Sequence, residues 1–489
     1  MKVRRRIAGL TLTVVMLAGM LVACGESPAP ESSTSIEGDA STSSITETTT
    51  ETNQSTTQST DTETSSGDNT TTAPPSTTSS ATGGVGSVAS TTTTLRTTAT
   101  TTKAGIKHLT GAEVKDKVTQ EMRELSIPTD SMTKSLVSEG NRARLAAVMR
   151  RAMNGEPITV GVIGGSITQG MSATGTANNY ASRVADWWRE TFPHSRITLV
   201  NAGIGATDSV LGVHRVQEHL LDKKPDFIIV EYSVNDANSQ LCGEAYENLV
   251  RRCLKAENQP AVLLLHMMDE KGKNVQELHA VTGEHYQLPM ISYRDGMLPL
   301  LNRGTIKWTD ISPDSIHPND YGHAIAALFV KNYLAQVYAE LNRIKTPVPE
   351  IPAPHISDAY ENATLLTPKN FQAKSLGSFT VDTQAFYSFP DGWTVNEGTS
   401  PLQLELKQVK RVFVLYACRS RSNAGNATLS LQGINDIKVT GYFQADGDQA
   451  YTQYTVMIYE DVVSNRLLTV TPTPEGDRTA FTVLGVMVS

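Results

Sequence analysis

Cysteine is scarce. The 489 residues hold four, Cys24, Cys242, Cys253 and Cys418, with no C-x-x-C among them, which excludes a disulfide-stapled scaffold and a cysteine-rich zinc site. If the stretch from Cys242 to Cys253 is helical, its eleven residues separate the thiols by ~16 Å at 1.5 Å per residue, too far for a bridge. Free thiols are therefore expected. H-E-x-x-H is missing, and although His317 with His323, or His279 with His285, could be ligands, no Cys/His cluster accompanies them, so no metal is expected. Phosphate loops of the G-x-x-x-x-G-K-[ST] and G-x-G-x-x-G kinds are absent too, and no cofactor is called for. Positive charge is not in excess. Lys and Arg number 42 against 50 Asp and Glu, a net charge of -8, which offers no basic surface for nucleic acid.

What is present begins with a leader. Met1–Ala23 has a basic start (Lys2, Arg4, Arg5, Arg6), an apolar run from Ile7 to Val22 and small residues before Cys24, the pattern of a secretory signal. Its end, Leu21-Val22-Ala23-Cys24, resembles a bacterial lipobox, which implies cleavage before Cys24 and a lipid on that thiol. The alternative is an uncleaved membrane-spanning anchor, since the run approaches bilayer length. Residues 24–104 are dominated by Thr and Ser with almost no large apolar side chains. Such a segment buries too little surface to offset its ordering entropy and is expected to be a tether, with a coil dimension on the order of 50 Å. An extracytoplasmic, surface-exposed protein held to the membrane through Cys24 is the expectation.

Residues 105–154 read as amphipathic helices, Glu113–Leu125 and Asn141–Met153, leading into a core. From 155 to 342 apolar strands alternate with helices: strand Ile158–Ile163, helix Tyr180–Thr191, strand Ile197–Asn201, helix Ser209–Leu221, strand Phe227–Tyr232, helix Gly243–Lys255, strand Ala261–His266, a further strand near Met290–Tyr293 and a long helix Asp320–Leu341. Strands apolar on both faces need helices on both sides of a parallel sheet, so an α/β three-layer sandwich is expected. Pro347, Pro349, Pro352 and Pro354 mark residues 343–355 as a stiff linker. Over 356–489 helical periodicity gives way to short strand-like runs, among them Leu402–Leu406, Val412–Ala417, Tyr454–Tyr459 and Leu467–Thr471, the spacing of an all-β sandwich.

Four segments fall in order on the turns of the α/β part. Ser166 follows strand Val160-Gly161-Val162-Ile163 across Gly164 and Gly165, at a strand's carboxyl end where ligands bind and where glycine permits a sharp turn. Asp314 and His317 stand three apart. On one turn that spacing lets the carboxylate accept from Nδ1–H of the imidazole and leaves Nε2 to take the Ser166 proton. Asn235, after strand Phe227–Val230, can donate its amide to an oxyanion, a backbone N–H in Gly203-Ile204-Gly205-Ala206 can supply a second donor, and that of Ser166 a third. Taken singly, each has a bland reading as a turn or capping residue. Together they supply the parts of acyl transfer.

These blocks resemble the SGNH, or GDSL, hydrolase superfamily over about Gly155–Asn342. The resemblance implies a flavodoxin-like fold without a metal, Ser166 as nucleophile, His317 as base, Asp314 as its partner, and Ser166, Gly205 and Asn235 as oxyanion donors. Two blocks depart from the family pattern: G-D-S is Gly164-Gly165-Ser166 and G-x-N-D is Ser233-Val234-Asn235-Asp236. In the second block Gly203 or Ala206 can take the place of Gly205. An exported, anchored enzyme with an appended β domain is similar to surface esterases that remove acetyl groups from polysaccharides. A lipase, lysophospholipase or thioesterase is the enzymatic alternative, and a non-catalytic glycan-binding protein the alternative of another class. For the β domain two roles stand open, packing on the α/β part and glycan binding through Trp393, Tyr442, Tyr451 or Tyr454.

Overall fold

The computed structural model describes residues 107–420, 423–443 and 451–489. The leader, Cys24 and the tether lie outside them. The first half runs α1 (Gly111–Glu124), α2 (Thr129–Lys134), β1 (Leu136–Ser138), α3 (Ala143–Met153), β2 (Ile158–Gly164), α4 (Ser166–Gln169), α5 (Tyr180–Thr191), β3 (Ile197–Gly203), α6 (Ser209–His219) and β4 (Phe227–Glu231). It continues through α7 (Gln240–Lys255), β5 (Ala261–His266), α8 (Gln276–His285), β6 (Met290–Ser292), α9 (Tyr293–Asn302), α10 (Trp308–Ile311) and α11 (Asp320–Ala339).

The sheet order is β1-β6-β5-β4-β2-β3, with β2 to β6 parallel and β1 antiparallel on the edge beside β6. Every residue of β4 and β5 is buried, and the period of two sorts their side chains between two cores. Phe227 and Ile229 join Leu145, Val184, Trp188 and Leu334 from α3, α5 and α11. Ile228 and Val230 join Val213, Val216, Leu249 and Val250 from α6 and α7. That is the three-layer arrangement. Helix starts are fixed locally: Thr110 and Glu113 form a reciprocal capping box at α1, and Asn319 accepts from the amides of Tyr321 and Gly322 at α11, satisfying donors the helix itself leaves free. Both Trp187 and Trp188 are buried. The N-terminal helices are docked: Tyr338 donates to Leu109 O at 2.7 Å and Lys331 pairs with Glu121 at 2.8 Å.

The proline-rich segment is pinned rather than a free spacer. The Glu247 carboxylate on α7 accepts the amides of His355, Ile356 and Ser357, and Arg251 donates to Pro352 O at 2.6 Å. Beyond it lie β7 (Thr364–Leu366), β8 (Thr380–Asp382), β9 (Gly392–Val395), β10 (Leu402–Arg419), β11 (Asn426–Leu431), β12 (Ile437–Thr440), β13 (Tyr451–Thr473) and β14 (Phe481–Val488), all paired antiparallel. Runs that read as separate strands are fused. Leu402–Leu406 and Val412–Ala417 belong to β10, and Tyr454–Tyr459 and Leu467–Thr471 to β13, because the polar stretches between them pair with each other through register shifts. Such shifts bend a strand, and both halves of β10 face one core through Leu402, Leu404, Val412 and Val414. Trp393 is 1% exposed within that core, Tyr454 stacks on Tyr416 and Tyr442 lies under the Arg478 guanidinium. The Trp393 ring therefore packs the domain.

The opposite face of β10 and β14 belongs to the neighbouring core. Phe413, Leu415, Leu484 and Met487 pack in one cluster with α6 and α7 residues, and at roughly 1.5–3 kcal/mol for each fully buried side chain this contact rivals the stability of a whole domain. Arg411 spans the same boundary, donating to Glu244 of α7 and to Glu460 of β13 at 2.7 Å each.

Candidate active site

Counted along the parallel strands, the order β3-β2-β4-β5-β6 is the 2-1-3-4-5 winding whose ligand crevice opens beside the first and third strands. In this chain those are β2 and β4. The register sets Gly164 of β2 between Gly203 of β3 and Glu231 of β4, so the turns carrying Ser166, Gly203–Ala206 and Asn235 emerge side by side. His317 arrives from the turn preceding α11.

Ser166 is 7% exposed, and its Oγ lies 2.9 Å from His317 Nε2. His317 Nδ1 lies 2.8 Å from Asp314 Oδ2. Asp314 Oδ1 accepts the amides of Ile316 and His317, both at 2.7 Å, while Trp308 Nε1 donates to Asp314 O and the Ser312 hydroxyl sits 2.7 Å from His317 O. The turn is thereby closed from both ends. Partial burial opposes ionisation of Asp314, but the two amides and the His317 ring outweigh it and hold the carboxyl below its ordinary range. An ionised Asp314 takes Nδ1–H and presents the Nε2 lone pair to Ser166.

A Cβ on Gly165 would lie 2.2 Å from Asn235 Oδ1, so glycine there is what lets the Asn235 amide stand against the nucleophile's turn. Among the described residues nothing accepts from Asn235 Nδ2, which leaves it to a ligand. The Ser166 N–H opens α4 and is one of the amides a helix start leaves unbonded. Gly205 borders Ser166, since its Cβ would fall 3.6 Å from Ser166 Cβ, and its N–H donates to Gln169 Oε1 at 2.8 Å. For that amide to serve an oxyanion, Gln169 has to share or release it. Gly203 N–H is held by Asn201 Oδ1 at 2.8 Å. Ala206 adopts a left-handed φ of 54°.

Behind the crevice lies a buried polar layer. Thr168 Oγ1 is 2.9 Å from Glu231 Oε2 and 2.8 Å from Tyr180 Oη. Burial pushes the Glu231 carboxyl up to about 7, against the Thr168 bond and with the help of Asp236. Asp236 accepts from Ser209 N–H at 2.7 Å, and its Oδ2 lies 2.9 Å from His279 Nε2. Arg215 donates to Ala202 O, Gly164 O and Tyr232 Oη, tying together the strand ends that precede Ser166 and Gly205. The histidines weighed as ligands are engaged elsewhere: His323 contacts Met171 O, His285 contacts Ala353 O, and His279 faces Asp236. Cys242 and Cys253 share α7, and with Cys418 they are free and buried. Sequence reasoning passed over Gln169 and the β-domain residue Gln453, whose Nε2 donates to Gly205 O at 2.7 Å. A lone glutamine carries no sequence signal, although Gln169 follows Ser166 within the same motif.

Residues 162–325 match the profile of the GDSL-like lipase/acylhydrolase family. A two-domain esterase (CEX) active on acetylated mannans superposes with a TM-score of 0.68 at 31% identity, over 73% of this chain and 98% of its own. The same esterase co-crystallised with mannopentaose gives a TM-score of 0.65 at 31% identity and the same coverage. An acetylxylan esterase from Geobacillus stearothermophilus matches with a TM-score of 0.32 at 17% identity, over 37% of this chain and 95% of its own. No curated protein sequence matches the chain.

Proposed function

The chain belongs to the GDSL-like lipase/acylhydrolase family, and from that premise we propose that it removes O-acetyl groups from a polysaccharide, a mannan foremost, by serine catalysis. The observation that carries the reading is the unbroken hydrogen-bond line from Ser166 through His317 to Asp314, in a chain whose α/β and β parts together resemble an esterase active on acetylated mannans. Ser166 Oγ attacks the ester carbonyl as its proton passes to His317 Nε2. The carbonyl electron pair moves onto oxygen, where Asn235 Nδ2, the Ser166 N–H and the Gly205 N–H can donate to it. Collapse of the tetrahedral adduct expels the sugar alkoxide, which takes the proton from His317 and leaves an acetyl ester on Ser166. Water, deprotonated by His317, repeats the sequence and releases acetate.

Location forms part of the proposal. The leader pattern and Leu21-Val22-Ala23-Cys24 support a lipoprotein anchored through Cys24 and held off the membrane by its tether, at the surface where a polysaccharide is met. Cys24→Ala should abolish incorporation of a labelled fatty acid, and incorporation that survives would sink this part. For the chemistry, acetate release by the full-length protein and by Ser166→Ala is followed on acetylated mannan, acetylated xylan and an aryl acetate. Ser166-dependent release from mannan supports the reading. Preference for long acyl esters would turn it toward a lipase, and no turnover on any ester toward a binding protein.

A further inference from the structure

Among the described residues, the β domain reaches the catalytic centre through Gln453. β13 pairs with β10 so that Gln453 stands opposite Ala417, as Met457 stands opposite Phe413. Phe413, Leu415 and Ala417 are the β10 residues that face the α/β part, and the register carries Gln453 to the same side. There it is 7% exposed, and its Nε2 donates to Gly205 O at 2.7 Å and to Ala206 O at 3.2 Å. The other side of the same turn is held from the nucleophile's helix, by Gln169 Oε1 on Gly205 N–H. Between these grips Ala206 sits at a φ of 54°, a region disfavoured for any residue with a Cβ. A strained turn persists only where its surroundings hold it. The two carbonyls that Gln453 takes belong to the two residues at the strained point.

We propose that Gln453 is a positioning residue for the ester hydrolysis: it fixes the Gly203–Ala206 turn so that the backbone donor beside Ser166 meets the oxyanion. The β domain is then a working part of the active centre, whatever it does toward glycan. Gln453 bonds to the turn rather than to Ser166 and acts through it. Outright loss of an oxyanion donor costs on the order of 10²- to 10³-fold, and a donor left in place but displaced is expected to cost about tenfold. An interaction felt only at the transition state lowers kcat and kcat/KM together and spares KM. A purely structural contact lowers thermal stability without that signature.

The inference rests on the esterase reading and is tested in the full-length protein with an aryl acetate, a substrate too small to need a glycan subsite. Gln453→Met keeps the length of the side chain and removes the donor. Its kcat should fall about tenfold with KM within about twofold, and a boronic acid that mimics the tetrahedral adduct should weaken by the same factor. Unchanged kcat in a variant that melts cooperatively, or a loss confined to KM, overturns the proposal. Should Gln453→Met fail to fold, Gln453→Asn, which withdraws the amide by one methylene, is held to the same outcomes. Absence of Ser166-dependent turnover in the unaltered protein would instead defeat the esterase reading, and this inference with it.

Discussion

Replacing Asp314 by Asn tests the site at the point where its hydrogen bonds leave the least freedom. The Asp314 carboxyl accepts three bonds, two from backbone amides on Oδ1 and one from His317 Nδ1 on Oδ2. In Asp314→Asn the carboxamide oxygen can keep both amides, so the turn survives. The NH₂ then faces Nδ1 and donates to it, which forces the ring proton onto Nε2. That nitrogen lies 2.9 Å from Ser166 Oγ and, once protonated, cannot receive the serine proton. A wrong tautomer in an otherwise intact serine triad costs about 10⁴-fold in kcat. Asp314→Ala should resemble it in rate but differ in stability, since both amides lose their acceptor at about 1 kcal/mol apiece. Initial rates on an aryl acetate, with thermal melts of both variants, decide the matter. An Asn variant retaining more than about a tenth of wild-type kcat would show that Asp314 does not set the tautomer.

Three other outcomes are expected. Gly165→Ala drives a methyl into Asn235 Oδ1 at 2.2 Å, so its kcat should fall like that of Asn235→Ala, on the order of 10²- to 10³-fold; a near-normal kcat in Gly165→Ala would argue that Asn235 is no oxyanion donor. Glu231, raised to about 7 by burial, holds a proton in the fold that the unfolded chain releases between its ordinary carboxylate range and 7, so stability is lost as pH rises across that window, by an amount on the order of a few kcal/mol at most. Glu231→Gln cannot ionise, and its melting temperature should gain on wild type from pH 5 to about pH 7 and then level off; a gap that stays constant refutes the shift. Arg411→Met leaves Glu244, 7% exposed at its side chain, without its cation, and should destabilise the protein by roughly 3–5 kcal/mol in denaturant titration, whereas a change under about 1 kcal/mol would mean that Glu244 finds water or another donor.

The parallel core is legible in the sequence because its strands, such as Phe227–Glu231 and Ala261–His266, are buried at every position and leave continuous apolar runs between amphipathic helices. Asp314 and His317 are legible for a different reason: three residues on one turn is a local geometry, written into spacing. Elements that depend on distant partners are not. β1 is a three-residue edge strand with no run long enough to announce itself. Lys407–Lys410 and Asp461–Asn465 look like turns, yet one bent ladder runs through them, with Val409 opposite Ser464 some fifty residues away and register shifts on either side of it. Gln453 is illegible on the same grounds, since its partner turn lies 248 residues upstream.

The apolar face shared by the two halves of the chain also orders events in time. The triad and the oxyanion donors all precede residue 318, but the cluster covering α6 and α7 closes only when Leu484 and Met487 of β14 arrive, and β14 is an inner strand, hydrogen-bonded to β7, β9 and β10. A chain synthesised from its N-terminus at about 5–20 residues per second therefore holds a greasy, half-covered α/β body for roughly ten to thirty seconds. Chaperones and proteases would meet the enzyme in that interval, and a nonsense codon near residue 480 would leave it there permanently.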